Sequence, residues 1–296
     1  MSSPSTSAWR SLLDAFVNAP RTQRFAAQNP VLWRHLVARC DRSAAGLTLT
    51  LGVLAALGFL ALFLSIAEDV VMHDPLVMLD EKVAAIAYRF RNPTLNEVML
   101  ALTDLGAWQT VMAGMVLAAI WMVLRGRPIL GIGLCVSVLM GEALVWILKG
   151  LLVRPRPSVD HALVTASGAS FPSGHAFVAF AFYGYIVLLA FRHATGAKRA
   201  ILGTIFIIIA FAIGVSRIYL GAHWPTDVLA SYLLGVVWLA TLFFMIPLFE
   251  QTGLGQFLAR PDRQPGTALA IGLVLVWLAV FFLRYLSDLR GFTTSN

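Results

Sequence analysis

The chain has 296 residues, of which 59% are hydrophobic and only 12% are charged. Ordinary soluble domains are about 45–50% apolar and about 25% charged, so this composition excludes a disordered or an ordinary water-soluble protein. The apolar residues come in continuous runs of roughly 20, the length of a helix that crosses about 30 Å of hydrocarbon. The sequence therefore predicts an all-α polytopic membrane protein, a bundle of transmembrane helices.

Seven apolar runs are long enough to be membrane spans. They cover approximately residues 44–67, 106–124, 129–152, 175–191, 200–220, 227–249 and 267–284. We predict a cytoplasmic N-terminal arm at 1–43, a six-span core at 44–249, and a cytoplasmic loop, a seventh span and a tail at 250–296. An odd number of spans places the two termini on opposite sides of the membrane.

Two segments outside the spans have the pattern of interfacial helices. The N-terminal arm mixes apolar residues, from Trp9 to Phe16, with several arginines, which favours a helix on anionic lipid. The outer segment 68–105 has apolar residues at helical spacing, from Leu76 to Phe90, with charges between them. This predicts an amphipathic helix in the interface. The alternative is a helix that packs on the bundle without contact to a substrate.

The formal net charge is +7, from 22 Lys and Arg against 15 Asp and Glu. Most of the basic residues fall in segments that are inside if the N-terminus is cytoplasmic, which favours that orientation. Lys149, Arg154, Arg156 and Arg217 are exceptions at the outer ends of spans three and five. The orientation of the protein in the membrane does not explain positive charge at these outer positions, so it must have another cause.

Three short blocks carry polar residues at the ends of spans. They read Lys149-Gly-Leu-Leu-Val-Arg-Pro-Arg156-Pro157, Pro172-Ser173-Gly174-His175 and Ser216-Arg217-Ile-Tyr-Leu-Gly-Ala-His223-Trp-Pro-Thr-Asp227. Each alone has a structural explanation: headgroup contact for the basic cluster, an N-cap for Ser173, and interface positions for Arg217 and His223. The order of the spans brings all three blocks to one membrane face, which indicates a functional site.

The residue types in these blocks predict a phosphate site. Lys149, Arg156 and Arg217 supply three cations without a cluster of carboxylates to neutralise them. Arginine holds two phosphate oxygens through its planar fork, whereas lysine is a compact point charge. The backbone N–H groups from Ser173 to His175 lie at the start of span four, where a helix attracts anions.

Two histidines supply the chemistry of phosphoryl transfer. A neutral His223 can attack phosphorus and form a phosphohistidine, which water then cleaves. Asp227, four residues further on, can accept from the other ring nitrogen and fix the tautomer. His175 can donate a proton to the leaving oxygen.

The pattern Lys-x6-Arg-Pro, Pro-Ser-Gly-His, Ser-Arg-x5-His-x3-Asp resembles the type 2 phosphatidic acid phosphatase (PAP2) family, which shares its pocket with vanadium haloperoxidases. The resemblance implies a six-span core, to which the N-terminal arm and span seven are additions. It implies that no metal or other cofactor is needed, and that His223 is the nucleophile, His175 the general acid and Asp227 the partner of His223. The residues implied to bind phosphate are Lys149, Arg156, Ser173, Gly174 and Arg217.

Glu142 is a further candidate because it lies seven residues before Lys149, on nearly the same helix face. Two helical turns are too long for a direct ion pair. Glu142 either orients the site through other groups or is a packed, protonated carboxyl.

The leading interpretation is a metal-independent lipid phosphatase with its pocket at the outer face. The substrates that the resemblance implies are phosphatidate, phosphatidylglycerol phosphate, and undecaprenyl or other polyprenyl diphosphates. A lipid phosphotransferase would use the same residues, and a transporter or binder of phosphorylated solutes is a third alternative. We expect a bacterial inner membrane with a periplasmic site, contact with the lipid bilayer and no nucleic-acid partner. The loop 158–171 is a candidate lid that sets headgroup selectivity.

Overall fold

The computed structural model describes residues 18–28, 30, 33, 44–72, 75–158, 162–192, 194–252, 256 and 266–295. The predicted interfacial helix from Trp9 to Phe16 lies outside them. Within the described residues the regular structure is entirely helical, which confirms the all-α prediction. The helices are α1 (Pro20–Gln28), α2 (Ala44–Met72), α3 (Pro75–Arg89), α4 (Pro93–Asp104), α5 (Trp108–Leu124), α6 (Pro128–Leu152), α7 (Gly174–Phe191), α8 (Ala197–Tyr219), α9 (Pro225–Glu250) and α10 (Thr267–Ser295).

Local sequence explains where several of these helices begin. Pro93, Pro128 and Pro225 stand at the starts of α4, α6 and α9. Proline suits that position because its ring sets a helical φ and its missing N–H would have no intrahelical acceptor. Asn92 caps α4, since its side chain accepts from the backbone N–H of Leu95 at 2.9 Å.

Six of the described helices are long and apolar enough to cross a membrane, namely α2 and α6 to α10. Helices α4 and α5 are long and apolar enough only as a pair, bent by 41° between them, and make a seventh candidate span if the pair counts as one. Each of the seven predicted spans therefore falls on a helix. The ends of α7 and α9 far from the three blocks meet in an ion pair between Arg192 and Glu250 at 3.2 Å, so these two helices run in the same direction.

The helical pattern predicted within 68–105, from Leu76 to Phe90, falls on α3, and the same segment also holds a second helix, α4, after a short turn. The large apolar residues Leu79, Val83 and Ile86 of α3 are exposed, whereas Asp80 and Ala84 are buried against the bundle. The packed face is thus the small and polar one, because Asp80 enters an ion pair described below. The position of α3 at the membrane interface stays a prediction.

Interhelical hydrogen bonds lock the helices around a core of buried aliphatic and aromatic side chains. Ser137 Oγ of α6 donates to the carbonyl of Ala181 at 3.1 Å, and Trp238 Nε1 of α9 donates to the carbonyl of Ser137 at 3.0 Å. Tyr185 Oη of α7 donates to the carbonyl of Leu130 at 2.9 Å. Such bonds align helices where hydrocarbon offers no other partner. Core members include Phe63, Val111, Leu134, Val138, Phe177, Phe182 and Leu234.

The turn between α3 and α4 docks on the end of α8. Arg91 donates from Nε and Nη2 to the carbonyl of Tyr219, at 3.0 and 2.6 Å. Tyr219 Oη in turn donates to Oδ1 of Asn96 at 2.8 Å. These contacts satisfy a terminal carbonyl of α8 and fix α4 beside that helix. They bring the end of α4 next to Arg217.

Candidate active site

The three polar blocks meet at one end of the bundle. Arg156, after α6, has its Nη1 3.3 Å from Nε2 of His223, which precedes α9. The backbone N–H of Ser173, at the start of α7, donates to the carbonyl of Asp227 at 3.2 Å. The predicted convergence of the blocks is therefore observed, whereas the chemical role of each residue stays a prediction.

His223 and Asp227 are paired as their spacing predicts. Nδ1 of His223 lies 3.3 Å from Oδ2 of Asp227, and the same oxygen accepts from the backbone N–H of Trp224 at 2.9 Å. Asp227 occupies the third position of α9, so its capping role holds the carboxylate in place. A carboxylate can only accept, which places the ring proton on Nδ1 and the lone pair on Nε2, towards Arg156.

Sequence reasoning missed a buried ion cluster behind this pair. Arg154 donates from Nη1 to Oδ1 of Asp227 at 2.6 Å and to Oγ1 of Thr226 at 2.7 Å, and from Nη2 to Oδ2 of Asp80 at 2.5 Å. Asp80 also accepts from the backbone N–H of Thr226 at 2.9 Å. The side chains of Arg154, Asp80 and Asp227 are 5%, 2% and 0% exposed. In the sequence Asp80 stands at the edge of the apolar stripe of α3, one helical turn from Leu76 and from Val83.

The backbone before this cluster is strained. Val153 ends α6 with φ at 35°, in the left-handed region that β-branched residues avoid. This turn directs Arg154 into the interior, while the Val153 side chain itself is 69% exposed.

Two of the predicted phosphate ligands contact the loop that follows α6. Lys149 Nζ donates to the carbonyls of Ala169 and Ser170, at 2.7 and 3.1 Å. The guanidinium of Arg156 donates to carbonyls of 167–169 at 2.9 to 3.2 Å and to that of Ala222 at 2.7 Å. The loop 158–171 is thus tied to both cations, and its role as a lid stays a prediction.

Ser173 occupies the N-cap position of α7, the structural alternative for this residue. Its side chain accepts from the backbone N–H of Ala176, at a long 3.5 Å. Its own backbone N–H is used by the carbonyl of Asp227, so the expectation that this N–H binds phosphate is not supported. Gly174 and His175 take the first two helical positions, where N–H groups have no intrahelical acceptor.

His175 and Arg217 line a cavity of about 430 Å³ between α4, α7, α8 and α10. Arg217 is 5% exposed and donates from Nη1 to Oγ1 of Thr103 at 2.8 Å. Its Nε donates to no residue that the structure describes. Arg217 therefore keeps a donor for a further partner at the edge of the site.

Glu142 is half-buried in α6 and has no hydrogen bond to any of the described residues. Its predicted influence on the site through other groups stays a prediction.

Burial and charge both act on His223, the candidate nucleophile. Burial first, and then the cations Arg217, Arg156 and Lys149, lower the pKa of His223 well below its ordinary value of 6.5. A neutral imidazole near neutral pH is the form that can attack phosphorus.

Comparison with known proteins decides the family. A sequence model of the PAP2 superfamily matches residues 130–250. Phosphatidylglycerophosphatase B of Bacillus subtilis is 32% identical over 195 residues, which make up 65% of this chain and 93% of that relative. The chain belongs to the PAP2 superfamily.

Two further relatives agree with this PAP2 assignment. Undecaprenyl-diphosphatase BcrC of Bacillus subtilis is 28% identical over 160 residues, 52% of this chain and 75% of that relative. The crystal structure of a transmembrane PAP2 type phosphatidylglycerolphosphate phosphatase from Bacillus subtilis superposes with a TM-score of 0.59 at 31% identity. It covers 66% of this chain and 96% of that one. The protein is therefore an integral membrane lipid phosphatase of the PAP2 type, as the resemblance predicted.

The PAP2 match leaves part of the pocket unassigned. Residues 130–250 contain the three blocks, the whole of helices α7, α8 and α9, and most of α6. Asp80 and Asp104 precede this range, and α10 follows it. One member of the ion cluster, Asp80, and the α4 and α10 walls of the cavity thus come from outside the matched region.

Proposed function

We propose that this PAP2 protein hydrolyses a phosphomonoester or diphosphate of a membrane lipid through a phosphohistidine on His223, without a metal ion. The observation that carries the proposal is the orientation of His223. With Nδ1 on Asp227, the lone pair of Nε2 lies beside Arg156, 3.3 Å away, where a bound phosphate would be attacked.

The first half of the reaction forms the covalent intermediate. Arg156, Lys149 and Arg217 surround the phosphoryl oxygens and stabilise the charge that develops on them. Nε2 of His223 bonds to phosphorus while the bond from phosphorus to the lipid oxygen breaks. His175 gives its proton to that leaving oxygen, and the lipid alcohol or lipid phosphate departs.

The second half returns the enzyme to its starting state. His175, now neutral, takes a proton from water as the water oxygen bonds to phosphorus. The bond from phosphorus to Nε2 breaks, which releases inorganic phosphate and a neutral His223. Asp227 keeps the proton on Nδ1 throughout, and Arg154 holds Asp227 in position from behind.

The proposed substrates are phosphatidate, phosphatidylglycerol phosphate, and undecaprenyl or other polyprenyl diphosphates. Relatives named for phosphatidylglycerol phosphate and for undecaprenyl diphosphate support this set. Three protein cations meet the phosphate charge, which is the reason that we propose a mechanism without metal. The excess of basic residues on the opposite side supports a site at the outer, periplasmic face of a bacterial inner membrane.

The test is phosphate release by purified protein in detergent, with EDTA, from the three classes of lipid. We expect release by the wild type, and none by His223→Ala with unchanged thermal unfolding. Rapid quenching with ³²P-labelled substrate should trap an acid-labile label on the wild type and not on the variant. Glu250→Gln, a change in an exposed ion pair at the far end of the bundle, is the control and should behave as the wild type.

Two results would contradict the proposal. One is activity that EDTA abolishes and a divalent cation restores. The other is a folded wild type that releases phosphate from none of the three lipids but transfers it to an added lipid alcohol.

A further inference from the structure

The C-terminal helix α10 turns one face towards the bundle, and that face changes character along its length. In the first half, Ala270, Val274 and Trp277 line an apolar groove against α5 and α7. In the second half, Arg284 and Asp288 line the cavity that holds the candidate general acid. These positions recur every three to four or seven residues, so they share one helix face. An apolar stretch beside a polar one suits a lipid and its headgroup.

The polar half of this face lies beside Asp104, a buried carboxylate that can accept a further hydrogen bond. Arg284 Nη1 pairs with Oδ1 of Asp288 at 2.7 Å, and its Nε lies 3.8 Å from Oδ1 of Asp104. Asp104 is 1% exposed, and its Oδ2 accepts no hydrogen bond from the described part of the chain. A buried acceptor without a donor destabilises the protein, so a ligand that donates to it gains binding energy.

The charges of this cavity differ from those around the proposed phosphate. Its wall holds two cations, Arg217 and Arg284, and two carboxylates, Asp104 and Asp288. A second phosphate placed here would face both carboxylates at close range. A hydroxyl would find an acceptor in Asp104 and a donor in Arg284. The chemistry of the cavity therefore favours a neutral, hydroxylated group.

We propose that Asp104 and Arg284 form a subsite for the free hydroxyl of a polyol headgroup, next to the leaving oxygen. The inference rests on the proposed phosphatase function, because His175, the proton donor to that oxygen, lines the same cavity. The substrates that fit this subsite are lipids in which a hydroxylated glycerol or sugar carries the scissile phosphate.

Three lipids separate this subsite from the alternatives. In phosphatidylglycerol phosphate, the carbon next to the one that bears the leaving oxygen carries a free hydroxyl. In phosphatidate that carbon is esterified, and in undecaprenyl diphosphate the leaving group is itself a phosphate. We expect wild-type kcat/KM to be at least about tenfold higher for phosphatidylglycerol phosphate than for the other two.

Asp104→Asn tests the acceptor. It should lower kcat/KM for phosphatidylglycerol phosphate about tenfold, change that for phosphatidate less than about twofold, and raise that for undecaprenyl diphosphate. An equal loss on all three lipids would show that Asp104 supports Arg217 or the fold, and would overturn the subsite. Ratios of kcat/KM among the three lipids that stay as in the wild type would also overturn the subsite.

A charge swap separates substrate contact from helix packing. Arg284→Asp combined with Asp288→Arg keeps an ion pair four residues apart on α10 but moves the cation. If the pair only anchors α10, the swap will keep the wild-type preference, which would overturn the inference. We expect it to lose that preference while thermal unfolding stays near that of the wild type. Arg192→Gln, which breaks a comparable pair with Glu250 at the other end of the bundle, should retain the preference.

The same assays separate the two proposals. Failure of the wild type on all three lipids contradicts the phosphatase proposal itself. Hydrolysis that depends on His223, but with a lipid preference that neither variant alters, contradicts only the subsite.

Discussion

The two sides of the candidate active site differ in how their buried charges are paired. On the side of His223, Arg154 donates hydrogen bonds to Asp80, Asp227 and a threonine hydroxyl. On the side of His175, Arg217 and Asp104 each keep a polar atom without a partner among the described residues. Removing charges from water is costly, and only dense pairing offsets that cost.

The difference indicates which side is rigid and which side is adapted to a ligand. A cluster whose charges are paired and hydrogen-bonded holds its members in one geometry. A nucleophile and the carboxylate that orients it require such a fixed geometry. Polar atoms without a partner in a cavity wall can still form hydrogen bonds with a substrate. We infer that the Arg154 cluster positions His223, while the Asp104 side distinguishes the lipids.

The largest expected effect comes from Asp227→Asn, which removes a charge from the paired side, that of His223. An amide would donate to Nδ1 and drive the ring proton to Nε2, so the nucleophile would lose its lone pair. We expect kcat to fall by about 10³- to 10⁴-fold. Turnover of the best lipid substrate measures this, beside Glu250→Gln as the matched carboxylate-to-amide control. A loss below tenfold would contradict the role of Asp227.

Arg154→Leu breaks the same side through its cation. Asp80 and Asp227 would remain buried without a partner charge, so we expect unfolding to become about 3–5 kcal/mol easier. Arg192→Leu removes a half-exposed ion pair and should cost about 0–1 kcal/mol. Unfolding of both variants in the same detergent gives the comparison. Equal losses would show that burial of the cluster contributes nothing.

Arg156→Gln tests how the cations act on the nucleophile. The pKa of His223 is lowered, so its neutral form persists below pH 6.5 and the acid limb of kcat/KM lies at lower pH than for an ordinary histidine. Removing a cation makes the imidazolium easier to form and raises that pKa. We expect the acid limb to move to higher pH by about one unit. Measurement of kcat/KM as a function of pH for the wild type and the variant tests this expectation. An acid limb that stays in place or moves to lower pH would refute the electrostatic account.

The smallest effect concerns the strained turn that leads to the cluster. Val153→Gly should stabilise the protein by about 1 kcal/mol, because glycine adopts a φ of 35° without steric cost. The exposed valine side chain loses little packing. Val123→Gly, at an exposed helical position in α5, should instead destabilise by about 0.5 kcal/mol. Thermal unfolding of the two variants should therefore shift in opposite directions.

The membrane spans could be predicted because their signal is local. Hydrocarbon thickness sets a run of about 20 apolar residues, and every predicted run falls on a helix. Within 68–105 the apolar pattern predicted the helix that is α3, whereas the second helix, α4, was not predicted. Asn92 and Pro93 are local signals for the start of α4, and the docking of Arg91 on Tyr219 holds the turn in place.

The three blocks could also be placed together from the sequence. Counting spans assigns Lys149, Ser173 and His223 to one face, because a membrane helix must end on the side opposite to where it began. Spacing further placed Asp227 one helical turn from His223, and the structure gives the contact. The mechanism of these residues stays a proposal that the assays above test.

The sequence by itself determined the helical membrane architecture and the residues at the helix ends, because hydrophobic length and chain order act along the chain. Only the tertiary structure decided that Arg154 pairs with Asp80 and that Arg284 of α10 reaches the cavity of His175. Those partners lie 74 residues apart in one case, and α10 lies beyond the family match in the other. Contacts of this kind depend on which helix faces pack together, and no local pattern in the chain encodes that choice.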